Sequence, residues 1–156
     1  MKNGLKYFGM ICWVLSIRCT ERKIDAKAVT ANCRGMEALT EIQKAQICPF
    51  YDDYREALNN KNAEKLLSYI GNLYRGSDGM NAQSLRTAMM NEIQNMPWSE
   101  VRFIEFQVTK LVDRIEIEHQ MQAAISHGTK NLVREKLSWS LESNKKWRIV
   151  NWQHKK

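Results

Sequence analysis

"RIEIEHQMQAAI", residues 114–125, decides the fold, because its side chains alternate with a period of two. Ile115, Ile117, His119, Met121, Ala123 and Ile125 fall on one side, while Arg114, Glu116, Glu118 and Gln120 fall on the other. A strand with one buried and one wetted face requires that alternation. The same period precedes it in "VRFIEFQVTKLV" (101–112), where Ile104, Phe106 and Val108 oppose Glu105, Gln107 and Thr109. "LVREKLSWSLES" and "KWRIVNWQ" follow, joined by a turn at Ser143–Asn144. The links at Val112–Asp113 and His127–Lys130 are short enough for antiparallel hairpins. The C-terminal half therefore reads as about four antiparallel strands.

Before Pro97 the period is helical. Met36, Leu39 and Ile42, then Phe50, Tyr54, Ala57 and Leu58, recur at spacings near 3.6. Pro49 lacks the amide hydrogen that a continuous helix uses and disfavours helix at Cys48, which predicts a kink or a fresh start there. "NNKN" (59–62) ends this helix, and Asn62 is placed to cap the next, "AEKLLSYI". "YRGSDGMN" reads as a loop. "AQSLRTAMMNEIQNM" is a third amphipathic helix with Leu85, Ala88, Met89, Ile93 and Met96 on one face, closed by Pro97. Three helices followed by four strands specify an α+β domain whose helices cover one face of a single antiparallel sheet.

The chain has 156 residues, 44% apolar and 26% charged, a composition that suits one globular domain with a short extension. That extension is "KYFGMICWVLSIRCTERK" (6–23). Lys2 and Lys6 precede an apolar run from Tyr7 to Ile17, a length that suits a signal-peptide core and falls short of a membrane span. Cys19, followed by polar "TERK", resembles the lipid-attachment cysteine of bacterial lipoproteins. Ser16 and Arg18 stand where those signals have an aliphatic and a small residue. A cut after "AKA" (26–28) and an uncleaved anchor are the other export readings; a buried element of a cytoplasmic protein is the alternative to export. We expect residues 1–18 to be a signal peptide or N-terminal anchor, 19–35 a polar tether and 36–156 the domain. The expected location is the bacterial cell envelope, with the membrane as partner through the N-terminus.

Of the 24 basic side chains, three lie within residues 1–18, which leaves 21 against 17 acidic ones. The remaining positive charge is scattered apart from Lys145–Lys146 and Lys155–Lys156. Nucleic-acid binding needs a clustered basic stripe with stacking aromatics, so no nucleic-acid partner is expected.

"YREALNNKNAEKLLSYI" resembles the helix pair that opens nuclear transport factor 2-like (SnoaL-like) domains, and "LSWSLESNKKWRIVNWQ" is similar to their last hairpin. The resemblance covers roughly residues 40–153. It implies a cone, in which a curved sheet wraps the helices around a cavity, and an open sheet face that supports dimers. The short strands usual between the second and third helices are reduced here to "GNLYRGSDGMN". Members include isomerases, dehydratases, epoxide hydrolases and non-enzymatic binding or scaffold domains, so the fold does not select the function.

His119, between Ile117 and Met121 on the apolar face, must find a polar partner there or serve as an acid/base in the cavity. Tyr54 occupies the place from which steroid-isomerase relatives donate a hydrogen bond. The carboxylate base those enzymes use is absent from "LSYIGNLYRG", with Asp78 the nearest acid. The expected ligand cavity comprises Tyr54, Phe106, Ile117, His119 and Met121, with Met80, Met89, Met90 and Met96 as adaptable lining or core filler. Trp139, Trp147 and Trp152 read as sheet packing. Cys33 and Cys48 lack metal-ligand spacing, and in an exported domain they would form a disulfide. No cofactor or metal motif and no catalytic signature is present. The leading function is a non-catalytic envelope protein binding a small apolar ligand or a protein partner. The alternatives are an isomerase- or dehydratase-type enzyme using His119 and Tyr54, and an anchored assembly scaffold.

Overall fold

A capping box at Thr40 starts the first helix. The Thr40 hydroxyl accepts from the Gln43 N–H, and the Gln43 side chain accepts in return from the Thr40 N–H, which satisfies two amides left open at a helix start. In this computed structural model, which describes residues 33–76, 78–125 and 130–155, α1 spans Glu41–Asn60. The signal segment, Cys19, most of the tether and the His127 link lie outside the described residues.

Two expectations for this region are corrected. The helix begins at Glu41 and not at Met36, because Met36 and Leu39 are buried through two successive turns that close onto the Cys33 and Met36 carbonyls. Ile42 consequently leaves the core face and is 64% exposed. Pro49 starts no new helix: it sits inside α1, flanked by buried Ile47, Cys48, Phe50 and Tyr51, whose packing outweighs the local preference. Cys48 faces Cys33, and their sulfurs are joined with Cα atoms 5.7 Å apart, inside the span of a disulfide. Reducing this bond is expected to lower stability by about 3 kcal/mol in the loop-entropy model. Denaturant titrations with and without reductant check this, and coincident midpoints would contradict it.

α1 ends where Lys61 turns into the left-handed region (φ 56°) and returns its amide to the Ala57 carbonyl. Asn62 then accepts from the Glu64 N–H at 2.9 Å, and α2 is a single turn, Glu64–Leu67. It is shorter than "AEKLLSYI" because the chain leaves the helix to run beside the last strand. Ile70 bridges Ile149 in parallel, and the Gly71 N–H bonds the Ile149 carbonyl. A β-carbon on Gly71 would stand 3.0 Å from Arg148 Cβ and 3.1 Å from a Glu142 carboxylate oxygen, so a larger residue here would push its neighbours aside. α3, Ala82–Asn95, is capped by Asn81 and buries Ala82, Leu85, Met89 and Ile93.

The sheet is an antiparallel meander of β1 (Trp98–Lys110), β2 (Arg114–Ile125), β3 (Lys130–Leu141) and β4 (Trp147–Lys155), in that spatial order. Ile115, Ile117, Met121, Leu137, Trp139 and Ile149 carry its buried face. α1 packs Phe50, Tyr51 and Tyr54 against that face. Three register shifts interrupt it, the first where Trp98 pairs with Ile125 but Glu100 with Ala124. In β1, Phe103 pairs with Met121 and Glu105 with Gln120, leaving Ile104 as an extra residue. Phe103 and Phe106 therefore both pack on the core while Ile104 is 53% exposed, which corrects its expected inward placement. In β4, Trp139 pairs with Ile149 but Ser138 with Asn151, so the inward series passes from Trp147 and Ile149 to Trp152 and His154. Among the described residues no helix is long and apolar enough to cross a membrane.

Candidate functional site

The hydrogen-bond register places one row of residues across all four strands: Phe106 opposite His119, His119 opposite Glu135, and Glu135 opposite His154. Three adjacent polar side chains thus share the face that otherwise holds the apolar core. Glu135 is fully buried, where an unpaired carboxylate would cost several kcal/mol, of the order of the domain's whole stability. It is not unpaired. One carboxylate oxygen accepts from His119 Nε2 at 3.0 Å, and the other from His154 Nδ1 at 3.0 Å. The Tyr54 hydroxyl donates to both oxygens, at 3.2 and 3.3 Å.

These bonds set the electrostatics. Burial by itself would raise the Glu135 carboxyl, but hydrogen bonds from His119 and His154 outweigh it and hold the group down to about 2. The carboxylate bond raises His154 above its ordinary value, although partial burial opposes this. Burial, then the adjacent Glu135 charge, pushes the Tyr54 hydroxyl well up, so it stays a hydrogen-bond donor. With Nε2–H donating to Glu135, His119 Nδ1 has no partner among the described residues.

His154 and Tyr54 also wall a cavity of about 480 Å³ between α3, the side chains of Tyr74, Asp78 and Met80, and the end of β4. Its apolar wall is Met80, Leu85, Met89, Ile93 and Met96, with Ala88 beside them. Tyr74 and Trp152 add aromatic faces, and Asp78 and Glu92 are the carboxylates at its edge. Such a cavity, mostly apolar with a few convergent polar groups, has the size and character of a small-ligand site. The row gives it a histidine whose Nδ1–H is tied to a buried carboxylate, an arrangement that fixes the ring and can support proton transfer at its other nitrogen. Among the described residues no three His, Cys, Asp or Glu side chains are placed to hold a metal ion.

The structure separates the five residues expected to line the cavity. Tyr54 lines it; Phe106, Ile117, His119 and Met121 do not. His119 is sealed in by Tyr51 and Phe103, whose rings meet it edge-on at 5.4 and 5.2 Å. Met80, Met89 and Met96 face the cavity, whereas Met90 points outward from α3. Sequence reasoning missed Glu135 and His154. The signal for Glu135 was available: it shares its parity in β3 with Val133, Leu137 and Trp139, so a carboxylate falls on the apolar series. His154 had none, since the β4 bulge moves it onto the inner face only after the register is known.

Solved structures share this fold over about three quarters of the chain. A protein of unknown function with a cystatin-like fold from Nostoc punctiforme superposes with a TM-score of 0.59 at 14% identity, over 74% of this chain and 92% of that one. An NTF2-like protein of unknown function from Pseudomonas putida gives a TM-score of 0.60 at 6% identity, over 74% and 87%. The chain has the NTF2-like fold. The NTF2-like arrangement also matches the helical cell shape determining protein Pgp2 from Campylobacter jejuni, with a TM-score of 0.55 at 13% identity over 70% of this chain but 41% of that one. No protein-family model and no curated protein matches the sequence. At these identities the likeness carries the NTF2-like fold and leaves the site to be read from its own residues.

Proposed function

We propose that this domain binds a small, largely apolar molecule in the cavity between α3 and the end of β4, with Tyr54 and His154 at its polar end. The observation that carries this is the 480 Å³ space itself, walled by methionine, aliphatic and aromatic side chains in a domain this small. Methionine's flexible thioether suits a wall that adapts to its ligand. Filling the space should abolish binding. Ala88→Trp is expected to weaken a fluorescent apolar probe at least about tenfold, equivalent to 1.4 kcal/mol, with an unchanged far-ultraviolet spectrum. Equal binding by wild type and variant would overturn the reading, and Met96→Trp repeats the test from the other end of α3.

Proton-transfer catalysis in the same cavity is the second reading, and the His154–Glu135 pair favours it over a purely passive pocket. The scaffold reading has less support, because no tryptophan is among the exposed large apolar residues of the described chain. We also propose that the domain works in the cell envelope, exported through residues 1–18 and tethered at Cys19, with Cys33 and Cys48 oxidised. The support is the charged start, the 11-residue apolar run and the cysteine that follows it. Mass spectrometry of the cell-isolated protein under non-reducing conditions tests all three features. An unmodified full-length mass with every thiol alkylatable would sink the proposal.

A further inference from the structure

The charge around the cavity runs against the charge of the protein. The chain as a whole carries +7, yet no lysine or arginine lines the cavity among the described residues, and the acidic side chains on it are Asp78 and Glu92. Asp78 uses one oxygen to accept from the Met80 N–H, which leaves its second oxygen for another donor. Glu92 lies on α3 and has no ion-pair partner among the described residues. His154 is the one lining group that can become cationic, and Glu135 at 3.0 Å balances its charge. The site therefore keeps a net negative field whether or not His154 is protonated, and Tyr74 and Trp152 place aromatic rings, which can attract cations, in its wall.

We propose that the ligand is an apolar amine, bound with its hydrocarbon part along Met89, Ile93 and Met96 and its ammonium group between Glu92, Asp78 and the aromatic rings. This rests on the cavity being the binding site and adds the ligand's charge. A lone carboxylate pair on a surface would carry no such conclusion; here the exposed pair borders a half-open, mostly apolar cavity whose wall includes Tyr74 and Trp152.

Three probes of one skeleton test it: 4-phenylbutylamine, 4-phenylbutanol and 4-phenylbutyrate, titrated into the full chain with tryptophan fluorescence as readout. The amine is expected to bind about tenfold tighter than the alcohol and the acid weakest, with the spread narrowing at high salt. Asp78→Asn with Glu92→Gln is expected to remove the tenfold preference and bring amine and alcohol to equal affinity. If that double variant does not fold, Glu92→Gln alone is read the same way. Equal affinity for all three probes, or tightest binding of the acid, overturns the amine assignment while the cavity reading stands. Binding of none of them, or binding undiminished by Ala88→Trp, overturns the cavity reading and the assignment with it.

Discussion

Replacing Glu135 with alanine is expected to destabilise the domain by about 3–5 kcal/mol, the cost of removing one partner from a buried charged cluster. The loss comes from what the carboxylate leaves behind. His119 and Tyr54 are buried donors aimed at Glu135, and without it neither has an acceptor or access to water. Because small domains hold only about 5–15 kcal/mol in total, the variant should melt far below the wild type or fail to fold at 37 °C. Glu135→Gln retains an acceptor oxygen but turns an amide donor toward the histidine N–H groups, so its loss should be smaller. The same residue sets an acid limb. The Glu135 carboxyl lies at about 2 in the fold against an ordinary 4.5, so its contribution is complete above about pH 4.5 and is lost as pH falls towards 2. His154 works in the opposite direction. Raised by Glu135, it stabilises below its unfolded value near 6.5 and loses that contribution as pH rises through its folded value. Its exposure makes this limb the shallower one. Urea midpoints from pH 2 to 8 check both limbs. A Glu135→Ala variant within about 1 kcal/mol of wild type, with an unchanged acid limb, would contradict the account.

Phe50→Ala is the second large effect, at about 3–5 kcal/mol. Phe50 is completely buried on α1, and its ring centroid lies 5.0–5.8 Å from those of Tyr51, Tyr54, Tyr69, Trp139 and Trp152. Four of these contacts are edge-to-face, the arrangement that adds about 0.5–1.5 kcal/mol beyond area burial. Truncation leaves a void between α1 and the sheet that rigid aromatic neighbours fill poorly. The void borders the support of the cavity, since Tyr54 and Trp152 are both Phe50 neighbours and both line it. Probe binding should therefore weaken together with stability. A melting temperature that falls while binding at low temperature stays unchanged would separate core from cavity and argue against that coupling.

The register shifts in β1 and β4 mark the limit of what could be read without the structure. β2 alternates without interruption, so its period-two pattern places Ile115, Ile117, His119, Met121 and Ala123 on the inner face, where they are found. β1 carries two extra residues and β4 one, and each inserted residue inverts the facing of what lies beyond it. Ile104 was misplaced and His154 passed over for that reason. "VREK" reads as a charged, solvated run, which masks the parity of Glu135 with Val133, Leu137 and Trp139; its pairing with His119 confirms that Arg134 and Lys136 flank an inward carboxylate. The helices were legible from Phe50 onward. The Thr40 cap and the turns at Met36 and Leu39 were not, because consecutive turns can mimic helical spacing over a few residues.

The claim on which the rest depends is that the space beside Trp152 and His154 is where a ligand binds. The indole N–H signal of Trp152, assigned by its disappearance in Trp152→Phe, reports on that wall directly. On titration with 4-phenylbutanol in ¹H–¹⁵N spectra, the Trp152 signal is predicted to move and saturate while that of Trp98, which does not line the cavity, stays in place. A Trp152 signal that stays fixed while residues of the outer sheet face shift would contradict the account.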